Sequence, residues 1–259
     1  MTNKNRIVTE SNRLIMNISR SELRGRFGLV MLAVFLYFLL TVQVRQFCIL
    51  FIPLGRQTLS TAGLGAYAKY AAPGLKVSSL ASSYDLLTQG AFVSGLCGFL
   101  LMFFRQQSTD PVMVFSGFET PMRYIKSLEI KIVRDVLTVC GLMLFIVPGV
   151  IFAIRTSQAN YLLMDDHSKT GMQCIRESWQ LMRGNSMKFL GLVLSYLPWL
   201  LASALPFAML LYFSPKNHVI LFLLTTACYI PLSASFAYLL TGITAFFDLM
   251  TGHLVIDRQ

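Results

Sequence analysis

The chain has 259 residues, of which 55% are hydrophobic and only 13% charged, with a mean hydropathy of +0.61. A soluble domain holds about a quarter of its residues as Asp, Glu, Lys or Arg because its surface faces water, so this composition argues against a soluble fold. The net charge of +10 does not point to nucleic acid either, because the basic residues sit at the ends of apolar runs and not in a patch interleaved with aromatics.

Residues 1–26 read as a polar cytoplasmic segment in which Lys4, Arg6, Arg13, Arg20, Arg24 and Arg26 precede the first apolar run. Such a cluster holds a terminus on the cytoplasmic side. Leu14, Ile15 and Ile18 share one face of a short interfacial helix. The segment is too long for a cleavable signal peptide and no small-residue cleavage motif follows it. No lipidation motif is present.

One membrane domain is expected over 27–247. Span one runs from Phe27 to Val44 and is closed by Arg45. An outer loop over 46–84 holds an apolar patch and then Gly- and Ser-rich sequence. Span two runs from Asp85 to Phe104. Its Ala91, Ser94, Gly95 and Gly98 place small residues four apart, twice over, which lets helix backbones approach closely. Packing within one subunit is the plainer reading, a dimer contact the sharper one. Pro111, Gly117 and Pro121 mark an inner loop over 105–127.

The apolar pattern then runs to Val147, meets Pro148-Gly149 and resumes to Met164. Pro followed by Gly is turn chemistry, so two short antiparallel spans are expected with their hairpin turn at Pro148 and Gly149. This puts Arg176, Arg183 and Lys188 in the cytoplasm with the N-terminal cations. Over 168–184, Met172, Ile175, Trp179 and Met182 recur at steps of three and four, with Ser168 as N-cap and Gly184 as terminator. Such an amphipathic helix is expected along the inner membrane face. Arg176, Arg183 and Lys188 are its candidate contacts to acidic lipid headgroups. Span five, Lys188 to Tyr212, is kinked by Pro198 and Pro206. Span six, Val219 to Phe247, contains Pro231, and 248–259 is a cytoplasmic tail. The fold class is all-α: a polytopic membrane helical bundle of about six transmembrane helices with one cytoplasmic-face amphipathic helix.

Polar groups inside a bilayer are costly, so each is a functional candidate. Arg155, Gln158 and Asn160 follow the hairpin and define a candidate polar intramembrane site. The competing reading is an Arg155 that snorkels to the nearer surface or pairs with carbonyls at the turn. Arg134 and Asp135 read as interfacial anchors. Asp165, Asp166 and His167 are adjacent and cannot all face one ion from a helix, so no metal is expected, nor any cofactor. No serine elbow, HExxH, P-loop or kinase pattern occurs, and an enzyme is not expected. Cys48, Cys97, Cys140, Cys174 and Cys228 form no CxxC pair, and no disulfide is expected.

Phe115-Ser116-Gly117-Phe118 followed by Tyr124, then Leu144 to Ile151, Asp165-Asp166, Cys174 to Gly184 and Phe189 to Trp199, come in a specific order and spacing. In this the chain resembles the bacterial membrane family called domain of unknown function 975, over about a third of its length. The resemblance implies a six-span bacterial inner-membrane protein and no established activity. Three roles follow as expectations. The first is a non-enzymatic scaffold or accessory subunit of a membrane (transport) complex, whose partners are the lipid bilayer and another membrane protein or a second copy. The second is a small transporter or channel with a polar pocket near Arg155. The third is a protein that engages anionic lipid. Both termini are expected in the cytoplasm.

Overall fold

The computed structural model describes residues 7–51, 56–58, 76–105, 109–213 and 217–254. Nearly all of this length is helical. α1 (Asn12–Leu23) starts where the Ser11 side chain accepts from the Leu14 N–H, and it buries Ile15, Ser19 and Leu23 on one face. α2 (Phe27–Phe38) passes through a π-helical turn, Leu39–Gln43, into α3 (Val44–Phe51). Two short antiparallel strands follow, β1 (Arg56–Thr58) and β2 (Lys76–Ser78). Next come α4 (Ser79–Phe104), a 3-10 helix (Pro111–Phe118), α5 (Pro121–Leu144) and α6 (Ile146–Arg155). The chain ends with α7 (Ala159–Asp165), α8 (Gly171–Leu181), α9 (Ser186–Phe213) and α10 (His218–Thr251).

Among the described residues, four helical stretches are long and apolar enough to cross a membrane: Phe27–Phe51, Ala81–Phe104, Ser186–Leu210 and His218–Thr251. At about 1.5 Å per residue each is longer than the ~30 Å of a bilayer's hydrocarbon. Side-chain pairs fix their directions. Phe27 meets Tyr238 with ring centroids 5.1 Å apart and Phe38 stacks on Tyr229 at 5.4 Å, so α2 and α10 are antiparallel. The Arg26 guanidinium lies 4.7 Å from the Phe103 ring centre and the Tyr84 hydroxyl donates to the Leu40 carbonyl, so α2 and α4 are antiparallel. Phe189 beside Phe246 and Phe207 beside Tyr229 do the same for α9 and α10. The four stretches therefore alternate in direction. One end of the bundle, the basic end, gathers Arg26, Arg105 and the N-terminus of α9. The connection from Arg105 to Asn185 starts and finishes there.

α4 is the central helix. Its Phe99, Leu100 and Phe103 pack with Val30, Ala33, Val34 and Phe38 of α2, while Cys97 and Leu101 face Ile130 of α5, Leu162 of α7 and Ile175 of α8. α1 lays Ile15 against Phe246, Leu249 and Met250 of α10. The prolines at 198, 206 and 231 lie inside helices that continue through them.

Several boundaries differ from expectation. Four long apolar helices stand where about six were expected. α5 carries Arg123, Lys126, Glu129, Lys131, Arg134 and Asp135, and α6 has only 10 residues. The turn between them is Phe145, whose φ of −163° and ψ of 156° are extended, not Pro148-Gly149. Pro148 and Gly149 lie in the first turn of α6, where a missing N–H costs nothing because the first N–H groups of a helix have no partner within it. Gly149 serves close packing instead: a Cβ on it would stand 2.5 Å from Leu142, and one on Gly141 would stand 2.8 Å from Gly149.

The outer loop expected over 46–84 is helical to Phe51 and from Ser79, because Tyr84 is anchored to Leu40; residues 52–55 and 59–75 lie outside the described residues. The inner loop expected over 105–127 is folded. Asp110 caps the 3-10 helix by accepting from the Val112 N–H, and Thr120 caps α5. The helix expected over 168–184 starts later, at Gly171, because Thr170 and Gln173 form a reciprocal capping box. Part of its apolar face is covered by protein, since Cys174, Ile175 and Leu181 are buried, while Met172 is exposed. The tail expected from Asp248 is still helix to Thr251.

Candidate functional site

α4 delivers Arg105 to the basic end. One terminal nitrogen of its guanidinium donates to the Asp165 carboxylate at 2.6 Å and the other to Asp248 at 3.0 Å. Three helices, α4, α7 and α10, are thereby tied at one point. Asp248 is only 2% exposed. Burial lowers the Arg105 pKa, but the hydrogen bonds to Asp165 and Asp248 outweigh it and hold the guanidinium above its ordinary value. An ion pair so enclosed differs from a surface one, because losing either partner strands a charge away from water.

Beside this junction lies a cavity of about 380 Å³ whose lining includes Arg105, Ser116, Glu119, Arg123, Met164 and His167. Each polar side chain is positioned by a local reason. Ser116 is on the 3-10 helix, which presses against α4 because Gly95 and Gly117 carry no side chain: a Cβ on Gly95 would stand 2.0 Å from the Val114 carbonyl oxygen, and one on Gly117 2.0 Å from that of Ala91. Arg123 follows the Thr120 cap and donates to the Ser116 carbonyl at 3.0 Å and to Glu119. His167 Nδ1 lies 2.8 Å from the Leu163 carbonyl. A carbonyl only accepts, so that nitrogen carries the proton.

Three polar atoms of the cavity-lining residues remain over. Arg105 Nε, Arg123 Nε and Ser116 Oγ are buried and have no hydrogen-bond partner among the described residues. A buried donor without an acceptor costs about 1–3 kcal/mol. All three offer N–H or O–H groups, so the arrangement is suited to an oxygen-bearing acceptor.

The residues singled out in the sequence fall elsewhere. Arg155 ends α6, and its guanidinium stands 4.7 Å from the Trp179 ring centre. Its carbonyl accepts from the Ser178 hydroxyl at 2.7 Å. Gln158 is buried at the junction with α7, where its N–H donates to Ser178 Oγ at 3.2 Å. Asn160 accepts from Ser94 Oγ at 3.3 Å. The helix break at Thr156–Gln158 separates the three, so Arg155 and Gln158 do not share one helical face as expected. Ala91, Gly95 and Gly98 pack within the subunit, the first two on the 3-10 helix and Gly98 also against Met164. Arg176 and Arg183 are exposed and Lys188 is half-buried. Asp165, Asp166 and His167 diverge. Asp165 binds Arg105, Asp166 accepts from Ser168, and His167 turns to Leu163.

Sequence reasoning missed Arg105, Arg123, Ser116 and Asp248 as a group. One signal was available: Arg105 and Asp248 each close a long uncharged run, and opposite charges at the ends of two apolar helices pair readily when those ends coincide.

Comparison with known proteins adds a family. The family model described as a protein of unknown function, DUF975, matches residues 96–240. That range starts inside α4, ends inside α10 and contains all six of the cavity residues named above. No curated protein and no solved structure matches the chain. With more than half of its length matched, the chain belongs to the DUF975 family of proteins of unknown function.

Proposed function

We propose that this protein is an integral membrane protein with four crossings, that its termini and charged cavity face the cytoplasm, and that the cavity reversibly binds a small oxyanion, a phosphate or carboxylate group. The carrying observation is the set of unpartnered donors on Arg105, Arg123 and Ser116 around one cavity. Charge-assisted N–H to oxyanion bonds are among the stronger hydrogen bonds. Asp165 and Asp248 already occupy both terminal nitrogens of Arg105, and Glu119 one of those of Arg123. Their charge limits how tightly an anion is held, which suits a ligand that must leave again. The orientation draws on Arg13, Arg20, Arg24, Arg26, Arg105 and Arg183 near the basic end, since cations accumulate on the cytoplasmic side.

The test is ligand-induced stabilisation in neutral detergent, since a ligand that binds only the folded state raises the melting temperature. Inorganic phosphate is expected to raise it beyond chloride at equal ionic strength. Arg123→Gln and Ser116→Ala are expected to reduce that difference. A parent protein indifferent to phosphate, and to acetate as the carboxylate probe, contradicts the proposal.

A second reading, the accessory subunit of a membrane complex, draws on the open flank of α9, where Trp199, Leu201, Leu205 and Met209 are all exposed. In a bilayer this flank meets either lipid or the span of another protein. A stoichiometric membrane partner retained in mild detergent supports that role, and a monodisperse lone chain opposes it.

A further inference from the structure

A second cavity, of about 340 Å³, lies between α1, α9 and α10, and its lining includes Met16, Arg20, Tyr196, Trp199, Ser235 and Tyr238. We propose that it holds the phosphate-bearing headgroup of an anionic phospholipid from the leaflet at the basic end, with the acyl chains leaving along α9. This rests on the membrane reading above but not on the cavity beside Arg105, with which it shares no residue.

Position supports it first. α10 is longer than a bilayer's hydrocarbon is thick, and exposure divides it. Val219, Leu223, Ile230 and Tyr238 are exposed, whereas no residue from Leu239 to Met250 is. His218 to Tyr238 covers ~31 Å at 1.5 Å per residue, the thickness of the hydrocarbon. Beyond Tyr238 protein takes over: Ile15 and Phe189 pack with Phe246, and Tyr161 stacks on Phe247. Tyr238 therefore marks the edge of the lipid-facing belt. α2 reaches the same level at Phe27, 5.1 Å from Tyr238, directly after Arg24 and Arg26. α9 arrives about one turn further in at Trp199, whose carbonyl accepts from the Ser235 hydroxyl at 3.3 Å. Tyr, Trp and Arg gathered at one level are the composition of a headgroup boundary, and the cavity lies among them.

Chemistry then chooses the ligand. Arg20 forms no ion pair among the described residues. Tyr196 is 4% exposed, and its hydroxyl has no hydrogen-bond partner among the described residues. No Asp or Glu is among the described residues that line the cavity, in contrast to the one beside Arg105. A guanidinium and a hydroxyl without an acceptor suit a phosphate, which takes charge-assisted N–H bonds from Arg in pairs. The other lining groups are apolar or aromatic, so the phosphate must carry an apolar body. A space of this size is too small for a whole phospholipid and takes the phosphate and glycerol. The acyl chains then follow Leu197, Leu201 and Leu205, all exposed on α9.

Quenching by brominated lipid tests this in phosphatidylcholine vesicles, with a small fraction of either phosphatidylglycerol or phosphatidylcholine carrying bromines near the glycerol. Trp179→Phe leaves Trp199 as the single indole, and subtraction of Trp199→Phe from the parent serves should that variant misfold. Brominated phosphatidylglycerol is expected to quench Trp199 with a relative association constant about fivefold that of brominated phosphatidylcholine, the preference one basic side chain gives at an anionic surface. Arg20→Gln is expected to bring the ratio close to one and Tyr196→Phe to lower it. Arg24→Gln, exposed but outside the cavity, is expected to leave it in place. Equal quenching by the two lipids, or a preference left unchanged by Arg20→Gln or by Tyr196→Phe, overturns the proposal. Flotation with the vesicles at alkaline pH reports on the membrane reading separately. A chain that stays behind defeats that reading and the headgroup site with it, whereas one that floats with Trp199 unquenched by either lipid defeats the headgroup site alone.

Discussion

Arg105 and Asp248 show how one residue can matter through what its loss leaves behind. Replacing Arg105 with Leu strands the buried Asp248 carboxylate and is expected to cost about 3–5 kcal/mol in a detergent unfolding series. The paired change Arg105→Leu with Asp248→Leu is expected to recover a large part of that loss, and a double variant no more stable than Arg105→Leu would contradict the coupling. Glycine supplies a second contrast. Gly117→Ala pushes a methyl group to 2.0 Å from the Ala91 carbonyl oxygen, whereas Gly28→Ala meets nothing within 4 Å. The first is expected to destabilise by roughly 1–3 kcal/mol or more, the second to change little. The stripe of small residues was legible as a close-approach surface. What it approaches was not, because the 3-10 helix that fills it comes from an inner loop whose apolar turn, Met113 to Phe118, reads as facing the membrane.

Asp166 carries a pH signature. The Ser168 hydroxyl and N–H donate to its carboxylate at 2.6 and 3.0 Å, holding its pKa below the ordinary value of 3.8. A depressed carboxyl stabilises the folded turn above the unfolded value and loses that contribution as pH falls through the folded one. Protection of the Ser168 amide against hydrogen exchange is therefore expected to stay level from neutral pH down to about 4 and to fall below 3.8. Asp166→Asn is expected to lower protection throughout.

At the scale of elements, local chemistry placed helices well and their surroundings poorly. α8 is a case of both. Its periodicity was visible, yet its cap is Thr170 and not Ser168. Thr170→Ala is expected to cost about 1 kcal/mol and Ser168→Ala much less, read as loss of helix stability. Its apolar face suggested a membrane surface, but an amphipathic helix looks the same whether lipid or protein covers that face. The polar trio after the hairpin is divided for a related reason. Arg155, Gln158 and Asn160 were placed on one continuous helix, and the break at Thr156–Gln158 sends them to α8 and α4 instead. The hairpin between α5 and α6 was legible from its Pro and Gly, although those residues start the second helix and the turn falls on Phe145.

At the scale of the whole molecule, composition and the long apolar helices are compatible with a membrane protein, and the proposed direction and number of crossings rest on charge and on helix length. Six apolar segments are visible in the sequence, and among the described residues four helices are long and apolar enough to cross. The others are too short or too charged. The four alternate in direction, and the proposed topology places residues 109 and 168 on the same side and residue 217 on the other. Accessibility of single engineered cysteines in sealed vesicles, on a background with the five native cysteines replaced, measures this directly. Thr109→Cys and Ser168→Cys are expected to react with an impermeant maleimide from one side, and Asn217→Cys only from the other. Labelling of residues 109 and 168 from opposite sides, or of 109 and 217 from the same side, would contradict the four-crossing account.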